Sequence, residues 1–424
     1  MKKNILIVIL FSVAIISCNS ILDVNPVDAI SDEIAIKDRS GVEKALTGSY
    51  NALQSTGLYG RYQIIAGDLA ADNLIWTGTT QDYGQLLTKP IPSDNSIIDG
   101  MWAGAYDGIN RVNNIIGKLP EISGINKADQ DQFMGEALFL RSLLYFNLAN
   151  YFGNVPLRLK PTLDLSSIDL EATSKEIILK QCMDDLRTAS KLMSEQQVPG
   201  HANKYSAEAL LSKVYLTEFH FTGNKVSADS AVAVSNRVIN VGKSPLFEVV
   251  FDIQNYNRLA QYFYSRSYAG RYEVAPSSGL INSYEPGDNR KEASIAWDDK
   301  NKPYCIKYKD VAGGADNVSV IRIEDIYLTR AEALAYSNGS ISAIKSDINF
   351  IRNKAGLGNT SAETGSELKI AIENERRHEF AFEGHRWTDL VRTKRISAVL
   401  GIDEKYSFFP IPLFELQTNK KLKQ

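Results

Sequence analysis

The chain alternates between long stretches in which apolar side chains recur at helical spacing and two stretches in which they do not. In "EALFLRSLLYFNLANY", residues 136 to 151, Leu140, Leu144 and Leu148 fall four apart with Ala137, Arg141, Tyr145 and Tyr151 beside them, and Gly153 and Pro156 close the run. Similar stripes at about 40–55, 97–118, 174–193, 206–220, 227–241, 323–337, 341–354 and 366–396 predict a mostly α protein. Some of them come in pairs across a tight turn. In "IYLTRAEALAYSNGSISAIKSDINFIRNKAGL", residues 326 to 357, one helix is expected to end near Tyr336, turn at Asn338 and Gly339, and resume near Ser340. Ala331 and Ala343 lie twelve apart, as do the small residues where the two helices of a tetratricopeptide unit cross. A second pair, 206–220 and 227–241, turns at Gly223 and Asn224. The expected fold is mostly α, a tetratricopeptide-like scaffold of helix pairs.

The two stretches outside this pattern, 56–95 and 245–320, are too long for plain connections and are expected to carry function. The second holds twelve aromatic residues in 76, nearly twice the 9% average of the chain. Aromatic rings on irregular segments either stack against sugar rings or pin a loop to its scaffold. The candidate ligand-binding residues are Trp76 and Tyr83 in "DNLIWTGTTQDYG", Tyr264, Arg266 and Tyr268 in "YFYSRSYAGRY", and Trp297, with Asp72, Asn73 or Arg266 bonding sugar hydroxyls. The competing reading is that each ring only pins its loop. Trp102, on a periodic helix, reads as core.

The first residues change the picture of where the protein works. Lys2 and Lys3 precede twelve residues, Ile5 to Ile16, of which eleven are apolar. That is the core of a signal peptide and is well short of the ~20 residues of a spanning helix. Ile15-Ile16-Ser17-Cys18 resembles a bacterial lipobox, with residues 1–17 as leader and Cys18 as the site of lipid attachment; two or more acyl chains anchor stably where one does not. A plain secretory leader with an incidental cysteine is the alternative. Without the leader, 45 basic residues face 50 acidic ones, a net charge of about −5. No basic block stands out, so nucleic acid is not an expected partner. Cys182 and Cys305, separated by 122 residues, read as buried free thiols.

Several motifs invite an enzymatic reading. "HEFAFEGH" places His378 and His385 seven residues apart, a rise of about 10.5 Å along a helix, too far for two nitrogens each ~2.1 Å from one metal. The alternating charges from Glu373 to Arg392 are better read as ion pairs that fix the helix and the Gly384 turn, with Trp387 a packing residue. Asp298 and Asp299 in "WDDKN" could suggest the carboxylate pair of a glycosidase, but adjacent acidic residues more often occupy a solvated turn. No phosphate-binding loop, dinucleotide fingerprint or nucleophile elbow appears, and no cofactor or metal is expected.

"CNSILDVNPVDAI", "EALFLRSLLYFNLANYFGNVPL", "IRIEDIYLTRAEALA", "INFIRNKAGL", "ENERRHEFAFEGHRWTDLVRTKR" and "FFPIPLFELQTN" resemble, in order, the successive blocks of the SusD/RagB family, the starch-utilisation D-type outer-membrane lipoproteins. Agreement of six blocks in order, from residue 18 to about 419, carries the resemblance. It departs at the end, where "NKKLKQ" stands in place of an Asn-Pro-Gly-Tyr-like tail. The resemblance implies one SusD-like α domain over residues 18–424, non-enzymatic and held by a lipid on the outer face of the outer membrane. Such a protein binds an oligosaccharide on irregular, loop-rich segments and sits as a lid over a SusC-type TonB-dependent transporter. The rival readings are an anchored helical glycosidase, a helical scaffold for protein–protein interaction, and a receptor for peptides or glycopeptides.

Overall fold

The computed structural model of the protein describes residues 36–162 and 169–422, so the expected leader and Cys18 lie outside the described residues. Its long helices are α1 (Arg39–Leu53), α2 (Tyr62–Leu69), α3 (Ser96–Lys118), α4 (Lys127–Phe152), α5 (Lys175–Leu192), α6 (Lys204–Thr222), α7 (Lys225–Val241), α8 (Ile323–Tyr336), α9 (Ile341–Lys354), α10 (Gly365–Glu379) and α11 (Arg386–Arg392). No helix among the described residues is long and apolar enough to cross a membrane.

Most of these helices begin and end where local chemistry says they should. The Asn95, Asn126 and Ser174 side chains accept hydrogen bonds from first-turn amides of α3, α4 and α5, and Asn203 with Ser206 forms a reciprocal cap on α6. Gly223 ends α6 at φ 77° and Asn224 caps α7, which is the tight turn expected there. Asn338, at φ 62°, turns the chain between α8 and α9. Helix α4 starts nine residues before the apolar stripe; its first turns, "KADQDQ", are polar and are held by the Asn126 cap, the Arg39–Asp129 ion pair and the bond from Gln130 to the Leu119 carbonyl.

The helices stack in sequence: α3 on α4, α4 on α5, α5 on α6, α6 on α7, α7 on α8, α8 on α9. Each buries one stripe against its neighbours, as Ile97, Ile98, Met101, Trp102, Ala105, Ile109 and Val112 do on α3, and a fully buried side chain of this kind contributes roughly 1.5–3 kcal/mol. The expected crossing of α8 and α9 at Ala331 and Ala343 is half right. Ala331 is buried, but Ala343 is exposed, and the adjacent Ile344, with Ile348 one turn on, makes the contact.

The stack runs on from α7 to α8 although 81 residues separate them. The intervening segment leaves and returns at one place, where β2 (Phe247–Val249) pairs antiparallel with β6 (Val318–Ile321). The excursion from 245 to 320 is therefore an insertion into a continuous helical scaffold.

The stripe at 366–396 is not one helix. It breaks at Phe382 (φ 68°) and Gly384 (φ 79°) between α10 and α11. The break is built by tertiary contacts: the Gly384 amide donates to Asp68 Oδ2 at 3.0 Å, and the Tyr151 hydroxyl donates to the carbonyls of Gln63 and Gly384. Here α2 and the turn meet backbone to backbone, since a Cβ on Gly67 would lie 2.1 Å from the Gly384 carbonyl oxygen.

The charges of this region form the expected ion pairs, and most of them are buried. Arg376 joins Asp325 (3.1 Å) on α8 to Asp389 (2.8 Å) on α11; Lys213 on α6 also reaches Asp325; Arg392 and His220 both reach Glu332. Burial pushes the Glu332 carboxyl up, but Arg392 and His220 pull it further down, well below the usual carboxylate range. Such pairs add modest net stability and fix which helices meet. His378 and His385 serve different neighbours: His378 Nε2 shares a hydrogen bond with Ser283 Oγ and stacks on Tyr284, while His385 stacks on Phe380.

Candidate functional site

The two irregular segments, far apart in sequence, are neighbours in space. Strand β1 (Leu74–Trp76) pairs antiparallel with β3 (Val274–Pro276), aligning Trp76 with Val274. Beside β3 lies the hairpin of β4 (Ile295–Trp297) and β5 (Pro303–Cys305), in which Trp297 is aligned with Pro303. Tyr272 joins the two ladders. Its carbonyl accepts from the Thr77 hydroxyl at 2.7 Å, and its own hydroxyl donates to the Pro303 carbonyl at 3.0 Å.

The turn of the β4–β5 hairpin holds the loop that carries Arg266 and Tyr268. Ser265 donates to Asp298 Oδ2 at 2.5 Å and Ser267 to Asp299 Oδ1 at 2.6 Å, while Asp298 Oδ1 accepts the amides of Lys300 and Lys302. The Ser265 hydroxyl and these amides hold the Asp298 carboxyl below its ordinary range. Asp298 is thus a turn residue, as expected, although it is buried rather than solvated. Both acidic groups are occupied by this clasp and do not face each other across an open cleft.

Tyr264 and Tyr268 flank Tyr304, with ring centroids 5.2 and 5.4 Å from it. Tyr304 is aligned with Ala296, so strand alternation sets Trp297 on the opposite flank of the hairpin. The result is a ridge with rings on both sides. Tyr268 is 47% and Trp297 40% exposed; Arg266 is exposed with its Nε donating to the Arg271 carbonyl, and Lys302 stands 5.8 Å from the Tyr272 ring. Such a surface offers apolar faces, two cations and hydroxyls to an elongated polar ligand.

The other candidates are placed differently. Trp76 is half-buried, its ring lying on Gly84, where a Cβ would come within 2.7 Å of a ring carbon; its Nε1 is buried without a partner. Tyr83, expected among the ligand-facing rings, is in the core, packed edge-on against Tyr62 and Tyr262. Asp72 and Asn73, expected to bond sugar hydroxyls, are engaged by the scaffold. Asp72 pairs with Arg386 (2.7 Å) and Arg377 (2.9 Å), and the buried Asn73 accepts from Arg377 and donates to Asp68. Of the twelve aromatics between 245 and 320, seven are buried, so pinning is the commoner role there and the ridge stands on a small core of its own. Tyr304 and Tyr272, which build the ridge, were not among the candidates. Only the pairing of β4 with β5 sets them apart from the other tyrosines of the segment. Cys182 and Cys305 are both free and buried. Among the described residues no group of His, Cys, Asp and Glu is arranged to hold a metal ion.

The SusD-like family model, described as starch-binding and associating with the outer membrane, matches residues 21–216, and the SusD family model matches residues 306–406. The two matches together span more than two thirds of the sequence, in the family order. The chain belongs to the SusD/RagB family. Two SusD-like proteins of Formosa agariphila are similar along nearly their whole length: P38 is 27% identical, covering 100% of this chain and 98% of its own, and P2 is 24% identical, covering 95% and 92%. Among solved structures, a SusD superfamily protein of Bacteroides vulgatus superposes with a TM-score of 0.80 at 24% identity over 91% of this chain and 98% of its own. A SusD-like protein described as laminarin-binding superposes with a TM-score of 0.76 at 24% identity over 92% and 99%. The helical stack with its loop-rich insertion is therefore the SusD/RagB fold. The SusD/RagB family is one of outer-membrane surface proteins, described by what they bind rather than by a reaction they catalyse.

Proposed function

We propose that this SusD/RagB protein is a non-catalytic receptor that binds an oligosaccharide at the cell surface and passes it to a SusC-type TonB-dependent transporter. In this reading residues 1–17 are a leader, Cys18 carries the lipid anchor, and residues 18–424 form one SusD-like domain at the outer membrane. The observation that carries it is the ridge: Tyr268 and Trp297 stand exposed on a hairpin locked by Ser265, Ser267, Asp298 and Asp299. Exposed rings on a rigid support suit the apolar faces of pyranoses, and Arg266, Lys302 and the tyrosine hydroxyls suit their hydroxyl edges. Family membership and a laminarin-binding neighbour of the same fold support a glycan over other polar ligands. Trp76 and Tyr264 complete the proposed surface, with the buried Tyr304 as platform; Tyr83, in the core, and Asp72 and Asn73, bound to Arg377 and Arg386, are not part of it.

The test is calorimetric titration of the purified protein with laminarin oligosaccharides, starch oligosaccharides and a panel of other plant, host and microbial glycans. Binding with no cleaved product, together with co-purification of a TonB-dependent transporter from membranes, is the expected result. Cleavage of a bound glycan would make the protein an enzyme. Heat with peptides and none with glycans would make it a peptide receptor, and partner binding without any small ligand would leave a scaffold.

A further inference from the structure

A cavity of about 600 Å³ opens between the start of α5 and the "FFPIP" segment. Phe152, Phe221, Phe408 and Phe409 form its walls, and three lysines line it: Lys89, Lys175 and Lys405, the last exposed at the mouth and paired with Asp403 at 3.1 Å. Phe221 and Phe408 are both exposed, so their ring faces are open to a ligand.

Lys175 is a buried cation held by neutral groups. It is 3% exposed, its Nζ donates to Asn150 Oδ1 at 3.2 Å, and it stands 5.2 Å from the Phe408 ring centroid and 5.9 Å from that of Phe221. Lys89 Nζ donates to the Leu86 carbonyl and stands 4.8 Å from the Trp387 ring. Among the described residues neither ammonium has a carboxylate partner. Arg141, Arg376 and Arg386, buried like Lys175, each have one. A buried ammonium held only by neutral groups costs stability. Lys175 is also the first residue of an 18-residue helix, where the dipole favours an anion and opposes a cation. Burial, with Arg392 adding to it, pulls the Lys175 ammonium down to about 7, and burial pulls that of Lys89 to about 8. An anion beside Lys175 would relieve it.

The walls say what else the ligand carries. Apart from the lysines the cavity is mostly apolar, and the Asn154 side chain already accepts from the Lys175 amide at 2.9 Å. A neutral hydroxyl-rich sugar would find few partners. We propose that this cavity is a second binding site, separate from the ridge, which takes a small flat carboxylate with its charged group on Lys175 and its ring against Phe408 and Phe221. The walls favour the ring of an aromatic acid; a uronic acid, which brings the same carboxylate on a puckered hydroxyl-bearing ring, is the other source, and the test separates the two.

The experiment is calorimetric titration of the purified full chain with 4-hydroxycinnamate, glucuronate and the uncharged 4-hydroxycinnamyl alcohol. Wild type is compared with Lys175→Met, Lys89→Met, Phe408→Leu and Trp297→Ala. The acid is expected to bind with unit stoichiometry and the alcohol at least tenfold more weakly. Lys175→Met weakens the acid at least tenfold while raising the melting temperature of the unliganded chain, because it removes an unpaired buried charge; a merely structural lysine would do the opposite. Lys89→Met and Phe408→Leu weaken binding severalfold, and Trp297→Ala leaves it unchanged, which separates this site from the ridge. Glucuronate binding as tightly as hydroxycinnamate, and equally lost in Lys175→Met, would assign the same carboxylate site to a sugar acid. Binding of neither acid, or binding that a folded Lys175→Met retains, overturns the proposal.

Discussion

Replacing Trp297 by alanine is the most direct test of the ridge, because its consequence can be worked from exposure alone. A tryptophan side chain offers roughly 250 Å² of contact area. With 40% of that surface open in the free protein, about 100 Å² is available to a ligand. A pyranose covering most of it gains about 2 kcal/mol at about 25 cal/mol per Å². The expected loss in Trp297→Ala is therefore roughly thirtyfold in affinity. Tyr268→Ala should give a loss of similar order, since that ring is somewhat more exposed but smaller. The assay is titration with the glycan that gives the largest heat, at a temperature where circular dichroism shows the variant fully folded. That condition matters because the packed remainder of the Trp297 ring contributes to stability, and partial unfolding would counterfeit a loss of affinity. Affinities within twofold of wild type in both variants would refute the assignment of the ridge.

Three further outcomes test the scaffold. Tyr83→Phe should stabilise the protein by about 1 kcal/mol in urea denaturation, because the hydroxyl it removes is buried without a partner; a loss of stability would mean that the hydroxyl is bonded. Arg141→Met should cost roughly 3–5 kcal/mol by stranding Asp185, which Arg141 grips at 2.8 and 2.9 Å, while Arg141→Met with Asp185→Leu should recover most of it; equal losses in the single and double variants would contradict the reasoning. Burial holds His378 and His385 down to about 4, Arg290 and Lys213 respectively adding to the effect, so the unfolded chain takes up two protons more than these groups do in the fold as pH falls through 6.5. Asp68, pushed up to about 7 by burial, works in the opposite sense and holds one proton more in the fold. Stability should thus decline from pH 6.5 to 4.5 with a slope of about one proton from these three groups. His378→Phe, which keeps the ring on Tyr284, should flatten that decline; an unchanged slope would show that His378 does not titrate as its burial dictates.

The parts of this structure that the sequence makes legible are those in which one face of one element decides its fate. The stripes from α3 to α9 bury against sequential neighbours, so period and capping residues suffice to find them. Trp102 and Trp387 read as core for the same reason. Tyr83 and Trp297 cannot be told apart in that way. Both are aromatics on irregular segments, and what separates them is whether Tyr62 and Tyr262 arrive to cover the ring, which depends on pairing between β1 and β3 across some 200 residues. The placement of Asp72 and Asn73 is hidden for the same physical reason: Arg377 and Arg386, three hundred residues on, engage them. The turn at Gly384 is legible from its glycine, but the contacts that set its geometry are not, because Asp68 and Tyr151 reach it from other helices.

That dependence on distant contacts explains why a loop-borne site can be rigid. Ordering a flexible loop at the moment of binding costs affinity for every side chain immobilised. Here the cost is met on folding. The excursion is closed at its root by β2 and β6, carries its own buried aromatics, and has its tip clasped by two serine–aspartate hydrogen bonds. Tyr268 and Trp297 are consequently exposed and yet backed by an ordered support, so a ligand of the proposed site would meet rings that are already in place. The ridge can therefore change its residues without disturbing the helical stack, because the stack touches the excursion through β2, β6 and the buried face, and not through the exposed rings. A scaffold of this kind fits one protein among many that share a fold and differ in what they capture, and it predicts that exchanging Tyr268 or Trp297 for another aromatic alters which glycan binds before it alters stability.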